Sequence, residues 1–240
     1  MSNQRVVVIT GAGSGVGRQA ALLLADAGYS TVLVARNKNK LKETAKQIHI
    51  NSGLDALTHV LPADLCDDQS GRQIVEQSLH TFGRIDAVAN IAGFANLNPI
   101  DQNTPELTRQ GIDTNLTAVI NLTAALWPVF KKQKYGIIVN VSSMSSIDPF
   151  PGFSIYAAAK CGLNMFTHCI AMEGTDIGIR AVAIAPGAIE TPMLRKIFHT
   201  TQIPPDKTLD PIEVAAVVCD CITGRQSFTS GQTIELPSPD

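Results

Sequence analysis

Two kinds of apolar run alternate along the chain. Short β-branched runs cover residues 5–10, 31–35, 56–62, 84–89, 135–141, 179–185 and 232–236. Between them lie longer stretches in which apolar residues recur every three or four positions, over residues 18–27, 38–51, 67–82, 105–130, 153–174 and 211–222. The first kind predicts buried strands and the second amphipathic helices. Strands alternating with helices predict an α/β fold, a doubly wound parallel sheet with right-handed crossovers and helices on both faces. About seven strands are expected. No linker or shift in composition divides the chain, so residues 1–240 read as a single domain.

The most informative punctuation follows the first strand. Gly11-Ala12-Gly13-Ser14-Gly15-Val16-Gly17 joins it to a helical pattern. Glycines allow positive φ and close backbone approach, and a helix N-terminus offers unpaired N–H groups and a positive dipole. A dinucleotide pyrophosphate fits both features. The loop therefore predicts a Rossmann site, although Gly11-x3-Gly15-x-Gly17 departs from the Gly-x-Gly-x-x-Gly spacing. After the second strand, Ala35 stands where an acidic residue would bind a ribose 2′-hydroxyl, and Arg36 follows. A guanidinium suits a 2′-phosphate, which predicts NADP(H) over NAD(H). Asp64 and Leu65 end the third strand, where Asp64 can accept from an adenine amino group or begin a turn. Asn90-Ile91-Ala92-Gly93 ends the fourth strand and Pro186-Gly187-Ala188-Ile189-Glu190-Thr191 the sixth. All these loops fall at the carboxyl edge of the sheet, where such folds bind ligands.

Tyr156 and Lys160 lie four residues apart in an alanine-rich helical run, so both side chains project from one face. A nearby cation favours a phenolate, which makes the pair a tunable proton donor and acceptor. Ser143 stands shortly before it, after the fifth strand. Asn115 is polar within an apolar helical stretch.

Composition narrows the function further. A formal net charge of -2 and the lack of a Lys/Arg run argue against a nucleic-acid partner. Lys131, Lys132 and Lys134 form the densest basic cluster and close an apolar helix. Five cysteines without a Cys-x-x-Cys pair read as reduced thiols of a cytoplasmic protein. No run predicts a signal peptide or a membrane span. The scattered histidines have no metal-ligand spacing, so no metal is expected.

Taken together, Thr10-Gly11-x3-Gly15-x-Gly17, Asn90-x-Ala92-Gly93, Asn115, Ser143, Tyr156-x3-Lys160 and Pro186-Gly187-x3-Thr191 resemble the short-chain dehydrogenases/reductases of standard length, over nearly the whole chain. The resemblance implies that Tyr156 is the general acid in carbonyl reduction. Ser143 would hold the substrate oxygen, and Lys160 would bind the nicotinamide ribose and lower the tyrosine pKa. Asn115 would hold a relay water. Gly11, Ser14, Gly15, Val16, Gly17, Arg36, Asp64, Leu65, Asn90, Ala92, Gly93, Tyr156, Lys160, Pro186, Gly187, Ile189 and Thr191 would bind cofactor, with Ile189 and Thr191 at the carboxamide. The chain departs from the family at Ile91, at Ser14 where no basic residue precedes Gly15, and at the tail. There Leu236-Pro237-Ser238-Pro239-Asp240 replaces the usual Val-Asp-Gly-Gly.

Loops over the strand ends carry Phe94, Leu97, Ile147, Phe150, Phe153, Met193, Leu194, Ile197 and Phe198. This apolar, aromatic set suits an uncharged carbonyl compound. Phe94, Ser145, Phe150, Phe153 and Met193 are the substrate candidates, and residues 191–210 are the expected lid. The leading expectation is an NADPH-dependent reductase of ketones or aldehydes, or the reverse alcohol dehydrogenase. One alternative is a 3-oxoacyl-(acyl-carrier-protein) reductase, disfavoured by Ile177 before Gly178 where a basic residue would meet the carrier. A non-enzymatic NADP(H)-sensing scaffold is another, and it would be expected to lack a catalytic residue. The apolar helices over 105–130 and 153–174 predict a homotetramer or homodimer.

Overall fold

The computed structural model describes residues 4–53 and 56–239. Asp240, the last residue of the divergent tail, lies outside the described residues. The strands are β1 (Val6–Thr10), β2 (Ser30–Ala35), β3 (Thr58–Pro62), β4 (Ala87–Asn90), β5 (Gly136–Val141), β6 (Ile179–Pro186) and β7 (Thr233–Leu236). They form one parallel sheet in the order β3-β2-β1-β4-β5-β6-β7. The helices are α1 (Gly15–Asp26), α2 (Lys38–Ser52), α3 (Ser70–Phe82), α4 (Pro105–Ile112), α5 (Ala118–Gln133), α6 (Ser154–Gly174), α7 (Pro192–Ile197) and α8 (Pro211–Thr223).

The unbroken apolar strands are explained by burial on both faces. Along β1, Val7 and Ile9 enter one core with Leu24, Leu41, Val214 and Val218. Val6 and Val8 enter the other with Ile74, Leu122, Leu126, Phe130 and Ile170. The chain steps outward from β1 to β3, then returns to the far side of β1 and continues from β4 to β7. The loops after β1 and β4 therefore part in opposite directions, and a crevice opens between them.

Several element ends differ from the sequence expectation. α1 starts at Gly15, inside the glycine loop. β3 starts at Thr58 rather than residue 56. β4 starts at Ala87, and Asp86 just before it accepts with its carboxylate from the Val6 N–H (2.8 Å) and from the Arg84 guanidinium (2.9 and 2.6 Å). Asp67 does not cap α3. It folds the turn before it, accepting from the N–H groups of Gln69 (2.8 Å) and Ser70 (2.9 Å). The helix expected over 105–130 is interrupted by a π-turn at Asp113–Thr117, which separates α4 from α5. The expected lid contains α7, a 3₁₀ turn at Pro205–Lys207 and a parallel bridge from Ile189 to Leu209. Among the described residues, no helix is long and apolar enough to cross a membrane, and no acidic, histidine and cysteine cluster could hold a metal. The five cysteines are free.

In the last turns of α5, Phe130 is fully buried and lies over Gly136 at the start of β5. A Cβ at Gly136 would overlap the Phe130 ring. Phe130→Ala is expected to cost about 3–5 kcal/mol by leaving a cavity there. A lower urea midpoint at unchanged slope would register that cost. An unmoved midpoint would show that this ring does not hold α5 to the sheet.

Candidate active site

Residues from the carboxyl ends of β1 to β6 line one cleft of about 360 Å³. At its first end, Gly11 has φ +71 and brings its Cα side against the backbone of Ala92. Gly17 lies so close to the Gly11 carbonyl that a Cβ there would overlap it. Close packing of loop on helix thus requires glycine at this position. The N-terminus of α1 opens into the cleft. Ser14, its N-cap residue, makes no side-chain cap, and the first turn carries no acidic residue. Unpaired N–H groups and an uncompensated dipole at a lined cavity fit a pyrophosphate. Arg18 braces the loop from behind, donating to the Gly13 carbonyl (2.7 Å) and to Thr44 Oγ1 (3.2 Å).

Farther along the same cleft, Arg36 is exposed at the end of β2. Lys40, which the sequence reading passed over, lines the cleft beside it. Its Cβ would be 3.2 Å from a Cβ on Gly13. Asn37 lines the same corner and caps α2 by accepting from the Lys40 N–H at 3.0 Å. A second basic residue one helical turn beyond Arg36 was the available signal. Asp64 lines the opposite wall and accepts from the Cys66 N–H at 3.1 Å, so it both turns the chain and faces the cleft.

Of the expected cofactor residues, Asn90 alone does not line the cleft. It is buried in β4 and donates to Asn140 Oδ1 at 2.8 Å, while Asn140 donates to Thr167 Oγ1 at 2.8 Å. Its amide ties β4 through β5 to α6. Phe94 is likewise absent from the lining of either cavity. Asn115 holds the Phe94 backbone, accepting from its N–H at 3.1 Å and donating to its carbonyl at 2.7 Å. Asn115 is fully buried in the π-turn and also donates to the Gly111 carbonyl at 2.8 Å. Its side chain is thus committed to clamping the loop after β4. Short π segments commonly sit at functional sites.

Tyr156 and Lys160 both line the cleft from α6, with Nζ 5.7 Å from the Tyr156 ring centroid. Lys160 is buried, and Nζ donates to the Val141 carbonyl at 2.8 Å. Burial lowers its pKa to about 8. The expected lowering of the tyrosine pKa is not what dominates here. Burial raises the Tyr156 pKa, and the nearby Ser143 hydroxyl opposes that shift only in part. Tyr156 keeps part of its surface open to the cleft. Dense packing around its hydroxyl still outweighs a cation that is itself desolvated. Ser143 Oγ accepts from the N–H of Ser145 (3.2 Å) and from its hydroxyl (3.0 Å), which fixes Ser143 at the end of β5.

A second cavity, of about 260 Å³, opens off the first and shares Ser143, Tyr156, Gly187, Ile189, Thr191 and Met193 with it. Three phenyl rings build its wall. Phe153 lies 4.5 Å from Phe150 and 6.0 Å from Phe198, centroid to centroid, and Phe153 also packs on Tyr156 at 5.3 Å. Ile203 joins the wall and was not anticipated, whereas Leu97 and Ile147 face elsewhere. Asp148 is the one charged residue of the lining. Within residues 191–210, Arg195 forks onto Glu190 and donates to the Ile203 carbonyl at 2.8 Å.

The family model described as short chain dehydrogenase matches residues 5–202. An uncharacterized oxidoreductase of Listeria monocytogenes is 35% identical, over 95% of this chain and 96% of its own length. A 3-oxoacyl-[acyl-carrier-protein] reductase of Thermotoga maritima is 33% identical, over 97% of this chain and 96% of its own. Among solved structures, a levodione reductase superposes with a TM-score of 0.89 at 29% identity, covering 97% of this chain and 96% of its own.

The shift at Lys160 has a thermodynamic consequence. Its folded pKa of about 8 lies below the unfolded value of roughly 10.4, so between these values the unfolded chain binds more protons and stability rises with pH. The penalty of burying the ammonium is fully present below pH about 8 and is relieved toward roughly pH 10.4. Relative to Lys160→Met, the wild type should gain stability between pH 7.5 and 9.5 in paired urea titrations. Parallel pH dependence of the two proteins would rule out the desolvated lysine.

Proposed function

The chain belongs to the short-chain dehydrogenase family, and from that premise we propose that it reduces an uncharged ketone or aldehyde, or oxidises the corresponding alcohol, with NADP(H). The observation that carries this reading is the position of Tyr156. Its hydroxyl-bearing ring lines both the glycine-lined cleft and the apolar pocket, with Ser143 beside it in both linings. A carbonyl compound in the apolar pocket meets a proton donor and a hydroxyl at the wall shared with the nucleotide cleft.

The glycine loop, the uncapped start of α1, Lys160 and the 186–191 turn would hold the nicotinamide cofactor, which supplies or accepts hydride when bound. Tyr156 delivers the proton to the carbonyl oxygen, and its raised pKa keeps it protonated at neutral pH. Ser143 donates to the same oxygen and stabilises the charge developing there. Lys160, charged below about pH 8, holds ribose hydroxyls and replaces the proton that Tyr156 spends. Asn115 keeps the Phe94 loop and α4 in register around this group. The pocket wall of phenyl rings and aliphatic side chains favours a compact, ring-bearing carbonyl compound, and Asp148 disfavours a carboxylate. The likeness to a levodione reductase is consistent with that choice. The Thermotoga relative keeps an acyl-thioester substrate as the second reading.

A panel of diketones, aryl ketones, aldehydes, 2-oxo acids and acetoacetyl thioester, followed through NADPH oxidation, separates these readings. Turnover is expected on neutral ring ketones, and Tyr156→Phe should lower kcat by roughly 10²–10⁴-fold while leaving cofactor affinity intact. Activity confined to the thioester would move the assignment to the carrier-protein reductase. A Tyr156→Phe protein with undiminished turnover would refute the proton-donor role.

Arg36 and Lys40 together form the basic corner for a 2′-phosphate. Replacing both with alanine should reduce the NADPH-over-NADH preference in kcat/KM by about tenfold or more, as loss of charged hydrogen bonds implies. A wild-type protein that prefers NADH would overturn the cofactor choice.

A further inference from the structure

The turn at 186–191 carries Gly187, Ile189 and Thr191, which line both the nucleotide cleft and the apolar pocket. A loop in that position must be held, because small backbone shifts there displace groups facing both ligands. Its hydrogen bonds show how it is held. On one side, the Ala188 carbonyl accepts from the Leu209 N–H (2.8 Å) and the Glu190 N–H donates to the Leu209 carbonyl (3.0 Å). These bonds tie the turn to the root of the lid. On the other side, the Gly187 N–H donates to the Leu236 carbonyl (2.8 Å) and the Ala188 N–H donates to Ser238 Oγ (2.8 Å). Two successive backbone donors of the turn are therefore spent on the chain's tail, one on the last residue of β7 and one on Ser238 just beyond it. This is the segment that departs from the family pattern.

That segment is built for the contact. Ser238 lies between Pro237 and Pro239. Proline fixes its own φ and pushes the residue before it toward extended backbone, so the strap loses little entropy in presenting its hydroxyl. Gly187 supplies the matching surface. A Cβ there would come within 2.6 Å of the Ser238 nitrogen and would also overlap Oγ. Glycine at 187 and serine at 238 are thus two halves of one contact.

We propose that Ser238 is a positioning residue of the cofactor site: by accepting the Ala188 N–H, its hydroxyl sets the turn that presents Ile189 and Thr191. The inference rests on the reading of this cleft as a nicotinamide-nucleotide site. Ser238 touches neither the reacting atoms nor the substrate, and it acts through the backbone of the turn.

The test uses the full chain and compares wild type, Ser238→Ala, Ser238→Thr, Gly187→Ala and the Gly187→Ala/Ser238→Ala double variant. NADPH is titrated by fluorescence, and kcat and KM are measured on a ketone turned over by the wild type. Ser238→Ala strands a backbone donor, and a weakening of NADPH binding by about five- to tenfold, with a fall in kcat, is expected from the usual cost of such a loss. Ser238→Thr keeps the hydroxyl and should lie within about twofold of wild type, the residual cost being the extra methyl. Gly187→Ala should reproduce the loss by displacing the strap, and the double variant should be no worse than Gly187→Ala, as expected for two changes that break one contact. A Ser238→Ala protein with wild-type NADPH affinity and kcat would overturn the proposal, even if its melting temperature fell, because that result describes a purely structural strap. Additive losses in the double variant would overturn it as well. A wild type that binds no nicotinamide cofactor would instead remove the reading on which the proposal rests.

Discussion

An ammonium group buried at the end of a parallel sheet is the constraint around which this site is arranged. Lys160 is almost fully enclosed, and its Nζ is hydrogen-bonded to a neutral carbonyl, that of Val141. A charged hydrogen bond contributes about 1.5–3 kcal/mol, whereas removing an ammonium from water costs several kcal/mol. The balance is unfavourable, and the fall of its pKa to about 8 expresses it. The neighbours that could neutralise the charge are hydroxyls and backbone, with no carboxylate among the residues lining the cleft near it. Fold stability alone gives no reason to keep such a group. A cleft that, in the function proposed above, meets the hydroxyls of a ribose and feeds protons to a phenol would give one, and strongly perturbed groups cluster at sites of that kind. The rest of the local structure limits the cost. Ser142 donates to the Lys160 carbonyl at 3.2 Å, and the Asn90–Asn140–Thr167 chain pins α6 against β4 and β5.

Much of this was legible in the sequence, and the reasons are specific. The inner strands, buried on both faces, leave continuous apolar runs, and the two edge strands stand out by position between helical stretches, so all seven could be placed. The glycine loop was readable because glycine is needed where backbone meets backbone, as at Gly11 and Gly17. Tyr156 and Lys160 were readable because helical spacing alone puts them on one face. The features that the sequence left open share a different cause. Asn90 and Asn115 are both polar residues in apolar surroundings, and the sequence cannot say whether such an amide serves a ligand or the chain's own backbone. Here both amides are consumed internally, by Asn140 and by Phe94 with Gly111. Phe94 was misjudged because its backbone, not its ring, is the part in use. The π-turn left no mark in the periodicity because the stretch is apolar on most sides, so the rotation of roughly 100° that one extra residue imposes opens no gap in the pattern. The reversed tyrosine shift depends on how much protein surrounds the hydroxyl, which spacing does not encode.

The two cavities are one device viewed from two sides. The glycine-lined cleft is open and backed by the N-terminus of α1, while the pocket beside it is walled by phenyl rings and aliphatic side chains of residues 191–203. Tyr156 and Ser143 stand in the wall between them, so a proton donor and a hydroxyl sit where a polar ligand and an apolar ligand would meet. The aromatic cluster reaches Tyr156 itself, through Phe153 at 5.3 Å. In the function proposed above, substrate shape would be read by side chains in contact with the Tyr156 ring, and a change at Phe153 would alter both specificity and the packing of the phenol.

The lid and the strap after β7 act on the 186–191 turn from opposite sides, and this division follows from the topology. β6 ends at Pro186, in the part of the sheet farthest from the glycine loop that still borders the cleft. β7, which pairs with β6, is the sheet's edge strand, so the chain beyond it can reach only the turn after β6. The lid, inserted between that turn and α8, must return to the sheet and does so through the Ile189–Leu209 bridge. A mobile cover rooted on a turn would drag the turn with it unless the turn were anchored elsewhere. Arg195, paired with Glu190 of the turn and bonded to the Ile203 carbonyl, ties the cover to the turn, while the Ser238 contact holds the turn from the sheet's edge. The turn that lines both cavities is thus held from the side of the 191–210 segment and from the edge of the sheet at once.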